Sequence, residues 1–289
     1  MKNKTLNLNG RLICLEQPAV MGILNATPDS FYNQGQGSSP DALLEAAAKM
    51  VREGALILDI GAMSTRPGAE MISVEEEWQR LEKVIPLIRN AFPEIVLSVD
   101  TFRVEIAKRA AAEGIDMVND ISAGDMDKDM FKTVASLNLP YIAMHMQGRP
   151  QTMQLQPQYD DVVREIVDYF IQKIAAIEQA GIKDVIIDPG FGFGKTIVQN
   201  YQLLMALHQF RILDKPILAG LSRKSMIYKV LGHTAAEAGN ATTALNMLAL
   251  QNGADILRVH DVKEAVECVR LWEYAKISAT ENINALKLK

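Results

Sequence analysis

The sequence has few of the features that mark secreted, membrane or nucleic-acid-binding proteins. Its 289 residues include two cysteines, Cys14 and Cys268, which lie far apart without CxxC spacing. We interpret both as reduced thiols of a cytoplasmic protein, and neither as a nucleophile. No run approaches the roughly 18 apolar residues of a membrane span. The basic start, MKNKTLNLNG, also lacks the apolar stretch of a secretory signal.

Charge and histidine content exclude further classes of function. The formal net charge is −5, and no basic block stands out, so we expect neither a nucleic-acid partner nor an anionic membrane surface. With only four histidines, a multi-histidine zinc site has little support. The sequence offers no nucleophile elbow and no paired Cys/His arrangement. Chemistry without a covalent enzyme intermediate fits better.

One pattern is repeated along the chain: a short apolar run ends in a polar residue, and a helical pattern follows. The eight runs are VMGILN (20–25), ALILDI (55–60), IVLSVD (95–100), IDMVND (115–120), PYIAMH (140–145), DVIIDP (184–189), KPILAG (215–220) and ADILRVH (254–260). Runs this apolar suit parallel strands that are buried on both faces. We therefore predict an α/β fold, a (β/α)8 TIM barrel, with a short N-terminal β extension at Thr5 to Leu15.

The domain organisation and the helices follow from the same pattern. We expect one domain over residues 1–289, with its core at about 18–277, because no linker interrupts the alternation. An open doubly wound sheet is the alternative, but the turn Asn25-Ala26-Thr27-Pro28 lacks the glycines that such a sheet needs for a dinucleotide. One helix should follow the capping box Ser73-Val74-Glu75-Glu76 and carry Trp78, Leu81, Val84, Ile85 and Ile88 as an apolar stripe. A second apolar stripe runs from Val162 to Ile177 and is closed by Gly181. Further helices are predicted at 40–53, 102–113, 127–138, 198–211, 237–252 and 262–277.

Every predicted strand has a polar residue at or just past its carboxyl end. These residues are Asn25, Asp59, Asp100, Asn119, His145, Asp188, the group Ser222-Arg223-Lys224, and Arg258 with His260. In a barrel of this kind the carboxyl ends of the strands meet at one mouth, where active sites are built. One polar strand end is ordinary, but eight from eight strands predict a site.

Three groups of residues at the predicted mouth indicate the chemistry. Arg258 and His260 point the same way from one strand and suit a polyanion; the alternative is an Arg258–Asp261 pair with a packed histidine. Acceptors at Asp100, Asn119 and Asp188 suit a flat heterocycle with several N–H donors, such as a pterin. They could equally hold a divalent cation or form structural ion pairs. His145 is more often a satisfied core histidine than a ligand.

The stretch DPGFGFGKT (188–196) invites a nucleotide-binding interpretation that its spacing excludes. A Walker A loop needs glycine at the position of Pro189, and the glycines at 190, 192 and 194 do not have dinucleotide spacing. What remains is a loop that lets the backbone approach a ligand, with Phe193 available to stack. The alternative is a flexible βα loop.

The strings MGILNATPDSF, DIGAMSTRPGA, SVDTF, NDIS, MHMQGRPQTM, DPGFGFGK, LSRKSM and LRVHDV, in this order, closely resemble the dihydropteroate synthase family of folate biosynthesis. The resemblance covers residues 20 to 276. It implies that 4-aminobenzoate is joined to (7,8-dihydropterin-6-yl)methyl diphosphate, giving 7,8-dihydropteroate and diphosphate. It also implies Mg²⁺, small-molecule substrates, sulfonamide as an inhibitor class, and a homodimer formed through late helices.

The resemblance assigns roles to individual residues. Asn25 would bind Mg²⁺, and the diphosphate would be held by Thr65, Arg66, Arg258 and His260. The pterin pocket would be lined by Asp100, Asn119, Asp188 and Lys224. The residues near the aminobenzoate would be Arg66, Phe193 and Ser225. The group expected to carry catalysis is Asn25, Asp100, Lys224, Arg258 and His260.

Loop closure is the other implied feature. MGILNATPDSF and STRPGAEM resemble two mobile loops that close over a substrate losing diphosphate by dissociation. One departure from the family pattern is Gly61-Ala62-Met63, where many members have Gly-Gly-Glu, so no carboxylate is available there. Two alternatives remain: a pterin-binding methyltransferase, which should not need STRPG, RKS and RVH together, and a silent homologue, which damage to the loops or Lys224 would favour. An aldolase would need a strand-borne Schiff-base lysine, and none of the eight runs carries a lysine at its carboxyl end.

Overall fold

A computed structural model describes residues 4–8, 10–27, 39–64, 71–148, 153 and 157–279. The strands within these ranges are β1 Thr5–Leu8, β2 Arg11–Cys14, β3 Ala19–Asn25, β4 Ile57–Gly61, β5 Val96–Asp100, β6 Met117–Asp120, β7 Tyr141–Met144, β8 Val185–Asp188, β9 Leu218–Ala219 and β10 Ile256–Val259. The last eight pair in parallel in the order β9-β10-β3-β4-β5-β6-β7-β8. A parallel bridge between Ile187 and Ile217 joins the two ends of that order. The predicted (β/α)8 barrel is confirmed, and the open sheet is excluded.

The barrel interior has two layers. Apolar side chains lie toward the amino-terminal ends of the strands, and polar side chains lie at their carboxyl ends. The apolar layer consists of Ala19, Met21, Ile57, Val96, Met117, Ile142, Ile186, Leu218 and Ile256. Strands β1 and β2 form an antiparallel hairpin, the predicted N-terminal extension. Its Leu6 and Leu8, with the following Leu15, pack against the apolar layer and cover the amino-terminal end of the barrel. The polar residues therefore lie at the opposite end.

Helices follow the barrel strands as the pattern predicts, with small differences. The described helices are α1 Pro40–Glu53, α2 Val74–Leu81, α3 Val84–Ala91, α4 Val104–Ala112, α5 Met130–Leu137, α6 Val162–Gln179, α7 Ile197–Met205, α8 Ser225–Leu231, α9 Gly239–Gln251 and α10 Val262–Ala279, with 3₁₀ segments at Leu207–Leu213 and Ala236–Ala238. None of these described helices combines the length and the apolar character that crossing a membrane requires. Cys14 and Cys268 are both free thiols.

Two helix predictions were wrong in detail. The stripe from Trp78 to Ile88 lies on two helices rather than one, because Pro86 has no N–H to donate to the Glu82 carbonyl of a continuous helix. Pro86 instead lies in the first turn of α3, where no donor is needed. The single helix predicted at 198–211 ends at Met205 and continues as a 3₁₀ segment. Helix α8 was not predicted, since seven residues are too few for a periodic signal.

Candidate active site

The polar ends of four strands are joined by hydrogen bonds at the barrel mouth. Arg258 on β10 donates through Nε to Asp59 on β4, at 2.6 Å, and through Nη2 to Asp100 on β5, also at 2.6 Å. Asn119 on β6 donates through Nδ2 to Asp59 Oδ2 at 2.9 Å. The alternative of an Arg258–Asp261 pair is excluded, because Asp261 pairs with Arg223 at 2.8 Å.

Asp59 is the centre of this network, although the sequence gave it no role beyond a polar strand end. Its side chain is fully buried and accepts from both Asn119 and Arg258 on one oxygen. Since the Asn119 amide nitrogen is committed to Asp59, the amide oxygen is left as an acceptor for a ligand. Asp59 therefore sets the orientation of the two residues predicted to meet the substrate.

Burial also changes the proton affinity of the carboxylates in this network. Burial raises the pKa of Asp100 to about 7, and Asp59 adds to the rise while Arg258 opposes it. Burial likewise raises the pKa of Asp188, and the Lys224 ammonium is the strongest opposing influence. Asp100 is thus ion-paired with Arg258, and Asp188 lies within the electrostatic influence of Lys224. The carboxylate oxygens of Asp100 and Asp188 also line the barrel mouth.

Lys224 and Asp188 both lie next to Gly220, the residue that follows β9. A Cβ atom on Gly220 would lie 3.7 Å from Lys224 Nζ and 3.9 Å from Asp188 Oδ2, which is ordinary contact distance to both groups. Lys224 also donates to the Phe191 carbonyl, and its Nζ lies 4.8 Å from the centroid of the Phe193 ring. One ammonium therefore touches three walls of the site.

The glycine-rich loop after β8 is held by side-chain hydrogen bonds, which argues against a flexible βα loop. Gly190 N donates to Asp188 Oδ1 at 2.8 Å, and Gly192 N donates to Asn200 Oδ1 at 2.6 Å. The Tyr159 hydroxyl donates to the Gly194 carbonyl at 3.0 Å. A loop with its backbone groups bound in this way is ordered without a ligand. The sequence indicated the glycines, but not the buried Asn200.

His145 is a core residue, as the interpretation from sequence favoured. Its side chain is buried, its ring packs edge-on against Tyr169 at 4.8 Å, and Nδ1 lies 3.0 Å from Nζ of the buried Lys195. Burial, with a contribution from Lys195, lowers the pKa of His145 to about 2. The imidazole is therefore neutral at every physiological pH.

His260 and Ser225 lie at the same end of the barrel as the carboxylate network. His260 Nδ1 lies 3.0 Å from Ser222 Oγ, which also accepts from the His260 backbone N–H at 3.2 Å. Arg223, between Ser222 and Lys224, has a φ of +55°, and the pair with Asp261 and a hydrogen bond to Thr242 Oγ1 hold it there. Ser225 is half-buried and begins α8.

The described part of the mouth also contains Asn25 and an apolar wall. Asn25 ends β3 half-buried, and a Cβ on Gly61 would lie 3.8 Å from its Oδ1 and 3.7 Å from Asp100 Oδ2. The wall consists of Phe102, Ile121, Met144, Met63, Met126, Met146 and Phe193. Met63 thus packs with apolar neighbours. Thr65 and Arg66, predicted to hold the diphosphate, lie outside the described residues.

The pKa of Lys224 leads to a prediction for the pH profile. Burial lowers it from 10.5 to about 8, with the Asp188 carboxylate opposing. We expect kcat/KM to fall above about pH 8, by up to tenfold per unit, as the ammonium loses its proton. Stability should not fall with it. A depressed pKa means that the folded state binds this proton less tightly than the unfolded state, so this group adds stability as pH rises from 8 to 10.5.

The measurement is kcat/KM from pH 6 to 10.5, with the unfolding midpoint followed at each pH. A profile that stays level up to pH 10 would contradict a role for the charged lysine.

The comparisons with known proteins cover nearly the whole chain. The model of the family described as pterin binding enzyme matches residues 21–260. The dihydropteroate synthase of Escherichia coli K12 is 45% identical over 275 residues, which are 94% of this chain and 96% of that protein. The Xanthomonas albilineans dihydropteroate synthase solved with 4-aminobenzoic acid has a TM-score of 0.88 at 40% identity, over 95% of this chain and 99% of that one. The Yersinia pestis enzyme in a sulfonamide drug complex has a TM-score of 0.90 at 39% identity, over 94% and 99%.

Proposed function

The chain belongs to the dihydropteroate synthases, which are pterin binding enzymes, and on this premise we propose how its own residues carry the reaction. The reaction joins 4-aminobenzoate to (7,8-dihydropterin-6-yl)methyl diphosphate and releases diphosphate, in folate biosynthesis. The observation that supports our assignment most directly is the network in which Asp59 orients Asn119 and Arg258. A methyltransferase on the same barrel is not favoured by these relatives.

We assign the pterin to the floor of the mouth. A pterin edge carries an amino group and ring N–H donors beside one carbonyl oxygen. The Asn119 amide oxygen and the carboxylates of Asp100 and Asp188 are acceptors for the donors, and the Lys224 ammonium is a donor for the oxygen. The apolar wall that includes Phe102 and Met144 offers a face for the flat ring. A polar floor and an apolar wall together suit a heterocycle of this class.

We assign the diphosphate to the rim, with Thr65, Arg66, Arg258 and His260 as its holders. Two nitrogens of the Arg258 guanidinium are bound by Asp59 and Asp100, so Nη1 is the donor that we direct at the anion. This shared guanidinium would connect the anion site with the pterin floor. The aminobenzoate would lie outside the pterin, near Phe193, Ser225 and Arg66.

The donor set at the mouth fits Mg²⁺ when the substrate supplies most of its ligands. Among the described residues no cluster of three or more His, Cys, Asp or Glu side chains could hold a metal. Mg²⁺ usually takes few protein ligands together with substrate phosphates and water. The oxygen of Asn25, beside Asp100, would be the protein ligand. When bound, the ion stabilises the charge of the departing diphosphate.

The charges around the pterin floor support dissociation of the C–O bond before the amine attacks. Three carboxyl groups, those of Asp59, Asp100 and Asp188, face the cations Lys224 and Arg258, so negative charge is in excess once Asp100, whose pKa is about 7, has lost its proton. An excess of fixed negative charge stabilises a carbon that becomes positive, more strongly in a buried site than in water. The apolar wall keeps water from that carbon until the aminobenzoate nitrogen forms the new bond.

The test of this mechanism is an isotope experiment combined with an omission assay. With both substrates and Mg²⁺, diphosphate should be released in proportion to dihydropteroate. In a second assay aminobenzoate is omitted, and ¹⁸O is placed in the oxygen that joins the methylene carbon to phosphorus. If the C–O bond breaks reversibly, this label should move to the non-bridging oxygens of the same phosphate during incubation with the enzyme. If the label stays in the bridge while the complete mixture turns over, bond breaking does not precede attack.

We further expect an order of binding. The diphosphate is contacted by residues from different parts of the rim, Asn25, Arg66, Arg258 and His260, so its binding would organise the aminobenzoate site. Aminobenzoate should then bind measurably only to enzyme saturated with pyrophosphate, a pterin and Mg²⁺. By linkage it should tighten pyrophosphate by the same factor. Calorimetric titrations into bare and saturated enzyme decide this, and equal affinity in both would refute the order.

The loop that carries Phe193 is already held by hydrogen bonds, so we do not assign the ordering to that loop. We assign it to the contact of Arg66 with the diphosphate; Arg66 lies outside the described residues.

Assembly and compartment belong to the same proposal. The later helices carry exposed apolar side chains, among them Met205, Leu231, Leu248 and Leu271. A homodimer formed through these helices would cover them. We propose this dimer, and the cytoplasm as its compartment.

A further inference from the structure

Lys195, the last residue of the DPGFGFGK string, is a buried lysine that the mechanism above does not use. Its side chain is 2% exposed and lies under the glycine-rich loop. Nζ donates to the carbonyls of Gly190 and Phe193, at 2.9 and 3.0 Å, and lies 3.0 Å from His145 Nδ1. An ammonium has three N–H donors, and these are three short acceptors. Burial lowers its pKa well below the usual value.

We propose that Lys195 is a positioning residue that gives the glycine-rich loop a fixed shape, so that Phe193 forms a platform for the aminobenzoate ring before any ligand binds. This proposal rests on the proposed function, because that function assigns the aminobenzoate to Phe193. It adds a residue for which neither the sequence nor the resemblance gave a role.

The loop carbonyls show why a donor is needed at this point. The backbone turns through positive φ at Gly190, Gly192 and Gly194, which directs successive carbonyls to different sides. Lys195 donates hydrogen bonds to the carbonyls of Gly190 and Phe193, while Lys224 donates to the Phe191 carbonyl at the mouth. Without Lys195, the Gly190 and Phe193 carbonyls would lose a donor, and leaving a buried carbonyl unpaired costs its full desolvation penalty.

The contact of Lys195 with His145 fixes the loop relative to the barrel. His145 follows β7, and its backbone N–H donates to the Asp188 carbonyl at 2.9 Å. The neutral ring has one acceptor nitrogen, and Nδ1 is the ring nitrogen that lies 3.0 Å from Lys195 Nζ. Burying a lysine is costly because its amino group loses its contacts with water, and a methionine would fill the same volume without that cost. The lysine therefore makes sense where backbone carbonyls must be held in place.

The Phe193 platform connects this support with the chemistry. The Phe193 carbonyl is held by Lys195, and the Phe193 ring lies 4.8 Å from Lys224 Nζ and against the apolar wall. A loop that relaxed by about an ångström would move this ring and cost up to about 100-fold in rate. The pterin acceptors Asp100 and Asn119 lie on other strands and would stay in place, and Asp188, which accepts from the Gly190 N–H, is the one assigned pterin acceptor that contacts the loop.

The test is Lys195→Met, which keeps the volume and removes the donors. We expect the KM for aminobenzoate to rise about tenfold or more, while the KM for the pterin diphosphate stays within about threefold. Hydrogen exchange at the Gly192 and Phe193 amides should accelerate about tenfold or more, with α6 unchanged. Lys195→Gln keeps two donors on a shorter side chain, so its KM for aminobenzoate and its exchange rates should lie between those of Lys195→Met and the wild type. It replaces Lys195→Met in the test if that variant does not fold.

The matched control is Lys4→Met. Lys4 donates to the Lys215 carbonyl at 3.2 Å and to Asp255 at 2.5 Å, at the opposite end of the barrel, and its replacement should leave both KM values unchanged. A folded Lys195→Met with unchanged KM values and unchanged exchange overturns the proposal, and so does an equal rise of both KM values. If the wild type forms no dihydropteroate, the proposed function fails, while hydrogen exchange still decides the role of Lys195 in the loop.

Discussion

Gly190→Ala is expected to destabilise the protein by about 3–5 kcal/mol and to reduce activity to near background. Gly190 has a φ of +71°, where a residue with a Cβ is strained. A Cβ built there would lie 1.9 Å from the His145 carbonyl oxygen. That oxygen belongs to the backbone just after β7, so it cannot turn away as a flexible side chain could. Either the glycine-rich loop or the end of β7 must move.

The control for this variant has the same backbone conformation in open space. Gly232 has a φ of +67°, and a Cβ there would meet nothing within 4 Å. Gly232→Ala should therefore show only the conformational cost, about 1–2 kcal/mol. Free energies of unfolding from denaturant titration compare the two variants directly. If both lose the same stability, the close approach of Gly190 to His145 is not what the glycine is needed for.

The loss of activity in Gly190→Ala should exceed what instability explains. The Gly190 N–H donates to Asp188, and the Gly190 carbonyl accepts from Lys195. Moving this residue therefore disturbs a pterin acceptor and the support of the loop together. Assays at a temperature where the variant is fully folded separate this effect from unfolding.

The barrel could be predicted because the information for it is local. Each of the eight apolar runs identifies a strand buried on both faces, and the apolar stripes at 78–88 and 162–177 indicate helical structure. The polar strand ends follow from the fold, since parallel strands bring their carboxyl ends to one mouth. The predicted convergence of Asn25, Asp100, Asp188 and Arg258 needed no knowledge of side-chain contacts.

The hydrogen-bond partners within the site could not be predicted in the same way. Arg258 and Asp59 are 199 residues apart in sequence, and Arg258 and Asp100 are 158 apart. Only the closure of the barrel decides that Arg258 meets these two carboxylates rather than its neighbour Asp261. Lys195 escaped notice for a similar reason, because its acceptors are backbone carbonyls, which no sequence pattern marks.

The interpretation of the glycine-rich loop shows the limit of composition as a guide to motion. Three glycines in five residues suggest flexibility, but here they allow positive φ angles and close contact with neighbouring backbone. A Cβ at Gly194 would lie 2.5 Å from the Gln147 carbonyl, as at Gly190 beside His145. Glycine in this loop therefore serves close packing.

Lys224→Ala is expected to lower kcat/KM by about 10³-fold while changing the free energy of unfolding by about 1–2 kcal/mol. The stability cost is limited because the variant loses a buried ammonium along with its partners. The lysine's own desolvation is expensive, as its pKa of about 8 shows. Removing it spares that cost, which offsets part of the lost hydrogen bond to the Phe191 carbonyl.

The functional cost of Lys224→Ala is large because three parts of the site depend on one charge. Lys224 is the strongest influence that keeps the pKa of Asp188 from rising further, so without it Asp188 holds a proton more tightly and is a poorer acceptor. The Phe193 ring loses its neighbouring cation, and the pterin oxygen loses its donor. Lys224→Arg should recover little, because a planar guanidinium presents its donors in a fixed geometry that differs from that of a compact ammonium. The measurements are steady-state kinetics and denaturant unfolding on the same preparations. A variant that is largely unfolded, or that keeps near-normal activity, would remove Lys224 from the catalytic group. If activity is retained but kcat/KM no longer falls at alkaline pH, the lysine affects the pH profile without taking part in turnover.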